Sequence, residues 1–567
     1  MGHGARKTAT IGAAVIACLL LMSVLSLFTY TDVPETTRIS YVPHNTIEIN
    51  GDAEFNYTNF PNNGVVSGNG TAGNPYIIEK WEIDANSSHG ISIMNTNAYF
   101  TIRNCYIWNG TGHYSITIFH AYNGSIIANT CTNNTRGISL STTSNFRIID
   151  NDCLNSTDHG ISLYASEHCI LNNNFCTNDM YGIGLWNSGN NTLANSSCSN
   201  NNWIGITISY SGNNTIYNNS CSDNTADGIS ASYSGNNVFS DNKCYDNGNW
   251  GIFVTEDGGN NTIVNNTCVH NNPSDVGNAG GIGITYSDGN VVSNNNCTGN
   301  LKDGIYLEYS SNDTLSDNYC SGNGKDGIYI DFSSNDTLYN NTCSNNAQHG
   351  IDFGLQDSAS TVSNNTCLNN SYYGIMLYAS NCTLSGNNCS GNNYTGIFLY
   401  AANNNTLINN TCDSNNNTGI RLDYSSNGND VFNNTLSNNI LWGLFIQIGS
   451  DNNWVWNNSF IHNNGAGDAY DPAHRQGYDA TMSNHWNSTN GYGNWWNDWT
   501  SPDVALPLGI VDNPYNLDGG SGARDYRPLT APGVIWVPEF PVVMIPIVGL
   551  MMIALAFSRM REQKEDR

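Results

Sequence analysis

Positive charge is scarce in this 567-residue chain: Lys and Arg number 18 against 46 Asp and Glu, for a net charge of −28. Such a surface repels polyanions, which excludes nucleic acid as a partner. Charged residues of both signs make up only 11%, and no long run of one sign occurs, so an acidic interaction tail is excluded as well. Hydrophobic residues reach 39%, too many for a chain kept unfolded by low hydrophobicity and high charge. Between Gly51 and Trp499 there is no convincing helical stripe, which argues against a helical bundle.

Long apolar runs are confined to the ends. Arg6 and Lys7 precede an apolar run to Phe28, the pattern of a signal peptide or signal anchor over 1–30. Residues 540–558 are apolar, near the lower length for a membrane-spanning helix. The basic tail 559–567, with Arg559, Arg561 and Lys564, belongs in the cytoplasm by the positive-inside rule. The chain between is then expected on the extracellular face of a cell membrane. The linker 531–539, "APGVIWVPEF" in its surroundings, resembles the C-terminal sorting signals of archaeal surface proteins. That resemblance implies archaeosortase processing; a plain membrane anchor is the other reading.

What the chain has in abundance is a repeat. A "Gly-Ile-x-aliphatic" word recurs from Gly90 to Gly443, mostly at steps of 22 to 24 residues. One step, Gly251 to Gly281, carries the insertion "VHNNPSDVGNAG". Each repeat holds three short runs of period-2 alternation broken by Asn, Ser, Asp or Gly, which reads as three short strands. The expected fold is all-β: a right-handed parallel β-helix of about 16 coils stacked at the strand spacing. A leucine-rich repeat has a similar period but needs leucine at the core positions, and leucine is sparse here.

Cysteines keep step with the glycines, from Cys105 and Cys131 to Cys412. One residue at the same place in every coil stacks into an inward column. Stacked side chains sit about 4.8 Å apart, whereas a disulfide needs Cβ atoms near 3.8 Å and turned together. Free buried thiols are therefore expected, with Cys169 and Cys382 off the column. Recurrent asparagines such as Asn341 and Asn346 are expected to form amide ladders at inward turns.

The Gly-Ile, Asn-rich coils resemble the β-helix repeats of NosD-like proteins, within the pectin-lyase-like superfold. "SGNGTAGNPYIIEKWEIDA" (67–85) resembles the opening segment of archaeal members, and "GNWWNDWTSPDVALPLGIVDNPYNLDGGSGARDYRPL" (493–529) their closing segment. The organisation expected is a cap over 31–88, repeats over 89–463 and a Trp-rich closing segment over 464–530. Closing segments of this type often carry an alternating-aspartate run that implies calcium, which "SPDVALPLGIVD" lacks. The NosD label implies copper, but methionines are few and the thiols face inward. No cofactor and no metal site are expected, with calcium left open and copper disfavoured.

In this superfold, the outer face of the Gly-Ile strand carries ligands. Reading it outward across three coils gives Asp303, Tyr306 and Glu308; then Lys325, Asp326, Tyr329 and Asp331; then His349 and Asp352. Carboxylates, a base and a cation so close together suit acid–base work on a sugar. They equally suit a solvated face on which charges offset one another. The candidate catalytic set is Asp303, Asp326, Asp331, Asp352, His349 and Lys325, with Tyr306, Tyr329 and Glu308 as ligand contacts. Outward Tyr164, Trp186, Tyr378 and Tyr400 are expected to stack on sugar rings. Tyr210, Tyr233, Tyr286, Tyr309, Phe332 and Tyr424 fall on the inward parity and are expected in the core. The Trp cluster 454–499 is expected to cap the rod, and exposed Asn-x-Ser/Thr triplets are expected to accept glycans.

The function expected is that of a surface-anchored structural or carbohydrate-binding envelope protein, not an enzyme. The alternatives are a polysaccharide lyase, hydrolase or epimerase, and a NosD-like copper accessory protein.

Overall fold

A computed structural model describes residues 39–272, 277–505 and 509–532. Both terminal apolar segments, the sorting-type motif and the basic tail lie outside the described residues. Among the described residues no helix is long and apolar enough to cross a membrane. Apart from two short 3-10 turns, Asp52–Phe55 and Asn463–Gly465, their regular elements are all strands. They wind into a parallel β-solenoid of about 17 turns, close to the 16 expected from the repeat.

One coil serves for all. Ile305–Glu308 lies in the first sheet, Thr314–Ser316 in the second and Tyr319–Ser321 in the third. Each pairs in parallel with its counterpart one coil on, Ile305 to Ile328, Leu315 to Leu338 and Cys320 to Cys343. The inward residues Ile305, Leu307, Leu315 and Cys320 are each 0% exposed. Between the strands Tyr309, Asn312, Asp317 and Gly322 take positive φ. A single left-handed residue turns the chain sharply, and Asn, Asp and Gly tolerate it best.

The glycine and the cysteine keep step because they touch. A Cβ on Gly327 would lie 2.6 Å from the Gly350 carbonyl oxygen and 2.7 Å from Cys343 Cβ. The backbone there is in ordinary φ territory, so close approach, not conformational freedom, requires glycine. Cysteine opposite it is small, apolar and tolerant of burial. The column runs from Cys131 through Cys153 and Cys176 to Cys412, and every cysteine in it is free and buried. It begins as Ile83 and Ile107 and ends as Leu436, Phe460 and Trp496.

Cys105 was expected in this column and is not. Ile107 stands opposite Cys131, and Cys105 instead lies at the asparagine position of its coil, its N–H donating to Asn129 Oδ1 at 3.0 Å. Cys169 and Cys382 do the same toward Asn191 and Asn405. In all three the thiol donates to a carbonyl two residues back. Glycine-to-cysteine spacing alone cannot separate two inward positions that are two residues apart.

The amide ladders form as expected. Asn318 donates its N–H and its Nδ2 to Asn341 Oδ1 at 3.1 and 3.0 Å, and Nδ2 also reaches the Val292 carbonyl. Asn341 repeats this toward Asn365. Every polar atom at the buried turn is thereby paired, as burial requires. The ladders share one polarity, so each must end on an acceptor. One ends on the Asp525 carboxylate, which also takes the Trp496 Nε1–H. A second ends on Gln476 Oε1 and a third on Asp479.

Aromatic rings close the rod. Phe55 stacks on Tyr76 at one end, and Trp496 lies between Phe460 (4.0 Å) and Tyr515 (3.9 Å) at the other. Trp486 and Trp496 are the buried members of the expected Trp cap; Trp454 and Trp456 flank Val455 on the outer face, half-buried. The expected core stack of Tyr210, Tyr233, Tyr286, Tyr309, Phe332 and Tyr424 is overturned. These residues sit at positive φ just past the strand, and all but Phe332 are 40–59% exposed. The left-handed turn resets the alternation, so the next residue, such as Ser211 or Ser310, points inward instead.

Two successive rungs of one ladder are aspartates. Asp313 Oδ1 accepts from Asn290, and Asp336 Oδ1 accepts from the Asp313 N–H. Their Oδ2 atoms are buried without partners. An ionised rung has no side-chain donor, whereas a neutral acid carries one, as asparagine does. Burial, with Asp336 close by, raises Asp313 well above the carboxylate range, and burial brings Asp336 up to about 7. The folded state therefore keeps protons that the unfolded chain loses, and stability falls as pH rises from the unfolded value through about 7. The Asp313→Asn/Asp336→Asn variant should lose less melting temperature than the parent between about pH 5 and about pH 8. Thermal melts followed by circular dichroism check this.

Candidate functional site

Outside the core, the first sheet carries one outward column through Tyr306, Tyr329, Asp352, Met376, Phe398 and Arg421, aligned by strand register. Residues just before each Gly-Ile word form its flank: Asp303, Asp326, His349 and Tyr373. The turn after each strand forms the opposite flank. Because adjacent coils sit about 4.8 Å apart, side chains far apart in sequence are brought side by side.

The candidate residues separate into distinct roles. Asp303 and Asp326, read as outward groups, are 1% and 3% exposed. Asp303 Oδ1 accepts the Asp326 N–H at 2.9 Å, and Asp326 Oδ1 accepts the His349 N–H at 2.6 Å. They are rungs of a short ladder at the sheet's edge, continued by the Tyr373 N–H donating to His349 Nδ1 at 3.3 Å. The residue before Gly-Ile tucks beneath its neighbour to satisfy a backbone amide, so period-2 counting from the strand fails there.

Tyr306 and Tyr329 stack at 5.3 Å, and the Tyr329 hydroxyl donates to Asp331 Oδ2 at 3.2 Å. Tyr306 also packs with Trp250 and Ala279. Asn278 bonds the Tyr306 hydroxyl, and Lys325 Nζ reaches Asn278 Oδ1. Asn278 and Ala279, at the end of the insertion, thus pack over Tyr306. Glu308 aligns with Asp331 on the outer face.

Beyond Asp352 the face opens into a cleft of about 490 Å³. Met376, Phe398 and Arg421 make its floor. Tyr372, Tyr373 and Tyr394 make one wall, and Tyr378, Tyr400 and Tyr424 the other. The His349 ring stacks on Tyr373 at 4.9 Å and 2°, and Tyr400 on Tyr424 at 4.2 Å. Arg421 lies over the Phe398 and Phe445 rings and is bound to Asp423 Oδ2 by Nε (2.8 Å) and Nη2 (2.6 Å). Tyr378 and Tyr400 were expected here. Tyr372, Tyr373, Tyr394, Phe398 and Arg421 were missed, although the tyrosines within two residues before Gly374 and Gly396 signalled a second wall.

Tyr164 and Trp186 lie elsewhere on the same sheet. Trp186 meets the His159 ring edge-on at 4.5 Å, and Tyr181 stacks on that ring at 4.6 Å. His159 is buried, with its Nδ1 2.6 Å from Asp158 Oδ1, and burial lowers it below the usual imidazole range; Asp158 also holds Arg136 at 2.7 Å. Trp186 therefore covers a buried histidine, and Tyr164 remains exposed.

Burial dominates the electrostatics of the cleft's end. It raises Asp352 to about 7, helped by the charges of Asp303 and Asp331, and it lowers His349 to about 4. Asp326 is pushed well up by burial and by Asp352 and Asp303. Among the described residues, Asp326, His349 and Asp352 are the group whose ligand atoms converge, within 4.8 Å. His349 spends Nδ1 on the Tyr373 amide, which leaves Nε2 to carry the proton of the neutral ring. The set works as a neutral donor beside carboxyls; a metal through Nε2 would have to displace that arrangement.

The chain matches the family model described as "Right handed beta helix region" over residues 45–167, 136–286 and 269–381. A second, described as "Periplasmic copper-binding protein (NosD)", matches residues 349–501. No curated protein matches the chain. Among solved structures, the A-module of the Azotobacter vinelandii mannuronan C-5 epimerase AlgE6 is 15% identical, with a TM-score of 0.35 over 62% of this chain and 90% of that one. The Dettilon tailspike protein (gp208) is 17% identical, with a TM-score of 0.37 over 53% of this chain and 60% of that one. The DFA-IIIase of Arthrobacter chlorophenolicus A6 is 9% identical, with a TM-score of 0.31 over 51% and 81%. At these values the likeness is one of fold alone.

The His349 ring should remain neutral at about pH 5.5, where an unperturbed imidazole is mostly charged. Its NMR carbon and nitrogen shifts report this directly, and a protonated ring there contradicts the burial described.

Proposed function

The chain belongs to the right-handed β-helix family, and from the cleft on its Gly-Ile face we propose that it is a rod that binds uncharged polysaccharide. The observation that carries this is a polar-ended cleft walled on both sides by tyrosines. Aromatic rings present apolar faces to sugar C–H groups while their hydroxyls bond to sugar hydroxyls. The apolar terminal segments, outside the described residues, would hold such a rod at a membrane's outer surface, as an envelope component.

Charge decides the class of sugar. Arg421 is the cation of the cleft lining, and Asp423 already neutralises it. With −28 on the chain, a polyuronate meets repulsion, and in the cleft no uncommitted guanidinium. Distance weighs against lyase or epimerase chemistry. Asp352 and Arg421 are three coils apart, about 14 Å at about 4.8 Å per coil. One residue could not take a proton from a sugar ring whose carboxylate the other neutralises.

A hydrolytic reading has one observation behind it, the closeness of Asp326 and Asp352, since paired carboxylates drive glycoside cleavage. Asp326, however, is 3% exposed and holds the His349 amide, so it is badly placed to reach a glycosidic bond. For copper, the NosD match is the support; the described cysteines are buried, where they offer no surface thiolate.

A glycan array probed with the purified protein tests the binding reading. Uncharged oligosaccharides should be retained, uronates should not, and no chain shortening or unsaturated product should appear. Tyr373→Ala and Phe398→Ala should each weaken binding by about tenfold, the scale of one lost aromatic contact with its buried area. Retention of no glycan, or binding indifferent to both substitutions, overturns it.

A further inference from the structure

We propose that the exposed aromatic column beside the Gly-Ile sheet is a track along which a polysaccharide chain lies, extending the cleft along the rod. The inference rests on the carbohydrate reading above and adds a second contact surface to it.

Tyr210, Tyr233, Tyr286, Tyr309, Phe332 and Tyr424 all hold φ between 50° and 52°. That is the left-handed region, unfavourable to bulky residues. In the same coil as Tyr309, the other left-handed positions are Asn312, Asp317 and Gly322, the residues that backbone preference selects. Six coils of this one turn column thus take an aromatic against that preference, and strained positions of this kind cluster at binding surfaces.

The column is exposed and ordered. Tyr210 stacks on Tyr233 at 4.7 Å and 4°, Tyr286 on Tyr309 at 4.8 Å and 11°, and Tyr309 on Phe332 at 4.7 Å and 19°. Tyr210 is 59% exposed and Tyr286 is 55% exposed. Rings packed face to face leave edges and phenol groups to solvent. A polymer would meet many weak contacts in separate stacks along the rod, interrupted at Glu256 and Ala401, in place of one deep pocket.

Continuity with the cleft selects the occupant. Tyr424 belongs both to the column and to the cleft wall, where it stacks on Tyr400. From Tyr210 to Tyr424 the column spans nine coil steps, about 43 Å at about 4.8 Å each. Only a chain molecule reaches both ends. Polymer length should therefore raise affinity by adding contacts to one already made.

The test compares binding of a β-glucan, a galactan and a mannan, as polymers and as tetrasaccharides cut from them, by calorimetry. The parent should bind at least one tetrasaccharide and bind its polymer at least tenfold tighter. Replacing Tyr210, Tyr233, Tyr286 and Tyr309 together by Asn should leave tetrasaccharide affinity and folding intact and abolish the polymer's advantage. The corresponding Tyr→Phe variant keeps the stack and should lose part of that advantage, which covers the case in which the Asn variant fails to fold. Tyr373→Ala in the cleft should weaken both ligands. A polymer no tighter than its tetrasaccharide, or unaffected by both sets of substitutions, overturns the track alone. No binding of any tetrasaccharide overturns the cleft reading on which it rests.

Discussion

Everything in this molecule depends on the contact between one coil and the next. A glycine without room for a methyl group faces the cysteine of its own coil and the glycine carbonyl of the next, and an amide at each buried turn hands its hydrogen bonds to the amide below. A single coil buries four apolar side chains, too few to offset the ordering of its backbone, so coils are stable only as neighbours. The fold is a one-dimensional stack, and its sequence must repeat.

The repeat leaves the outside free. Inward positions answer to the coils on either side, but an outward residue answers only to solvent and to whatever binds. The departures from regularity lie there: Ala279 at the insertion's end against Trp250 and Tyr306, tyrosines before Gly374 and Gly396, and aromatics where a turn favours asparagine. The same logic explains why burial controls the chemistry of the cleft's end. His349 and Asp352 lie against a packed sheet beneath neighbouring aromatics, where the neutral forms of both are favoured.

The rod was legible in the sequence because stacking forces identical residues into identical places: the glycine period, the thiol column and the amide ladders all follow from one rule. What was not legible lay where the period-2 pattern stops. A left-handed turn residue resets the alternation, so Tyr210 and its counterparts were assigned to the core and stand in solvent. The residue before each Gly-Ile word serves the backbone, so Asp303 and Asp326 were assigned outward and are buried. Cys105 shares the column's spacing without its place. Tyr372, Tyr373, Tyr394, Phe398 and Arg421 were missed because that part of the cleft emerges only when coils beyond Asp352 are laid side by side.

Thiol chemistry tests the stacked rod most directly. Alkylation without reductant, read by intact mass, should add no label at the described cysteines in the folded protein. After denaturation it should label every one of them, since each is free and buried. Labelling in the folded state, or cysteines that stay protected after denaturation because they are joined in disulfides, would contradict a column of thiols sealed between stacked coils.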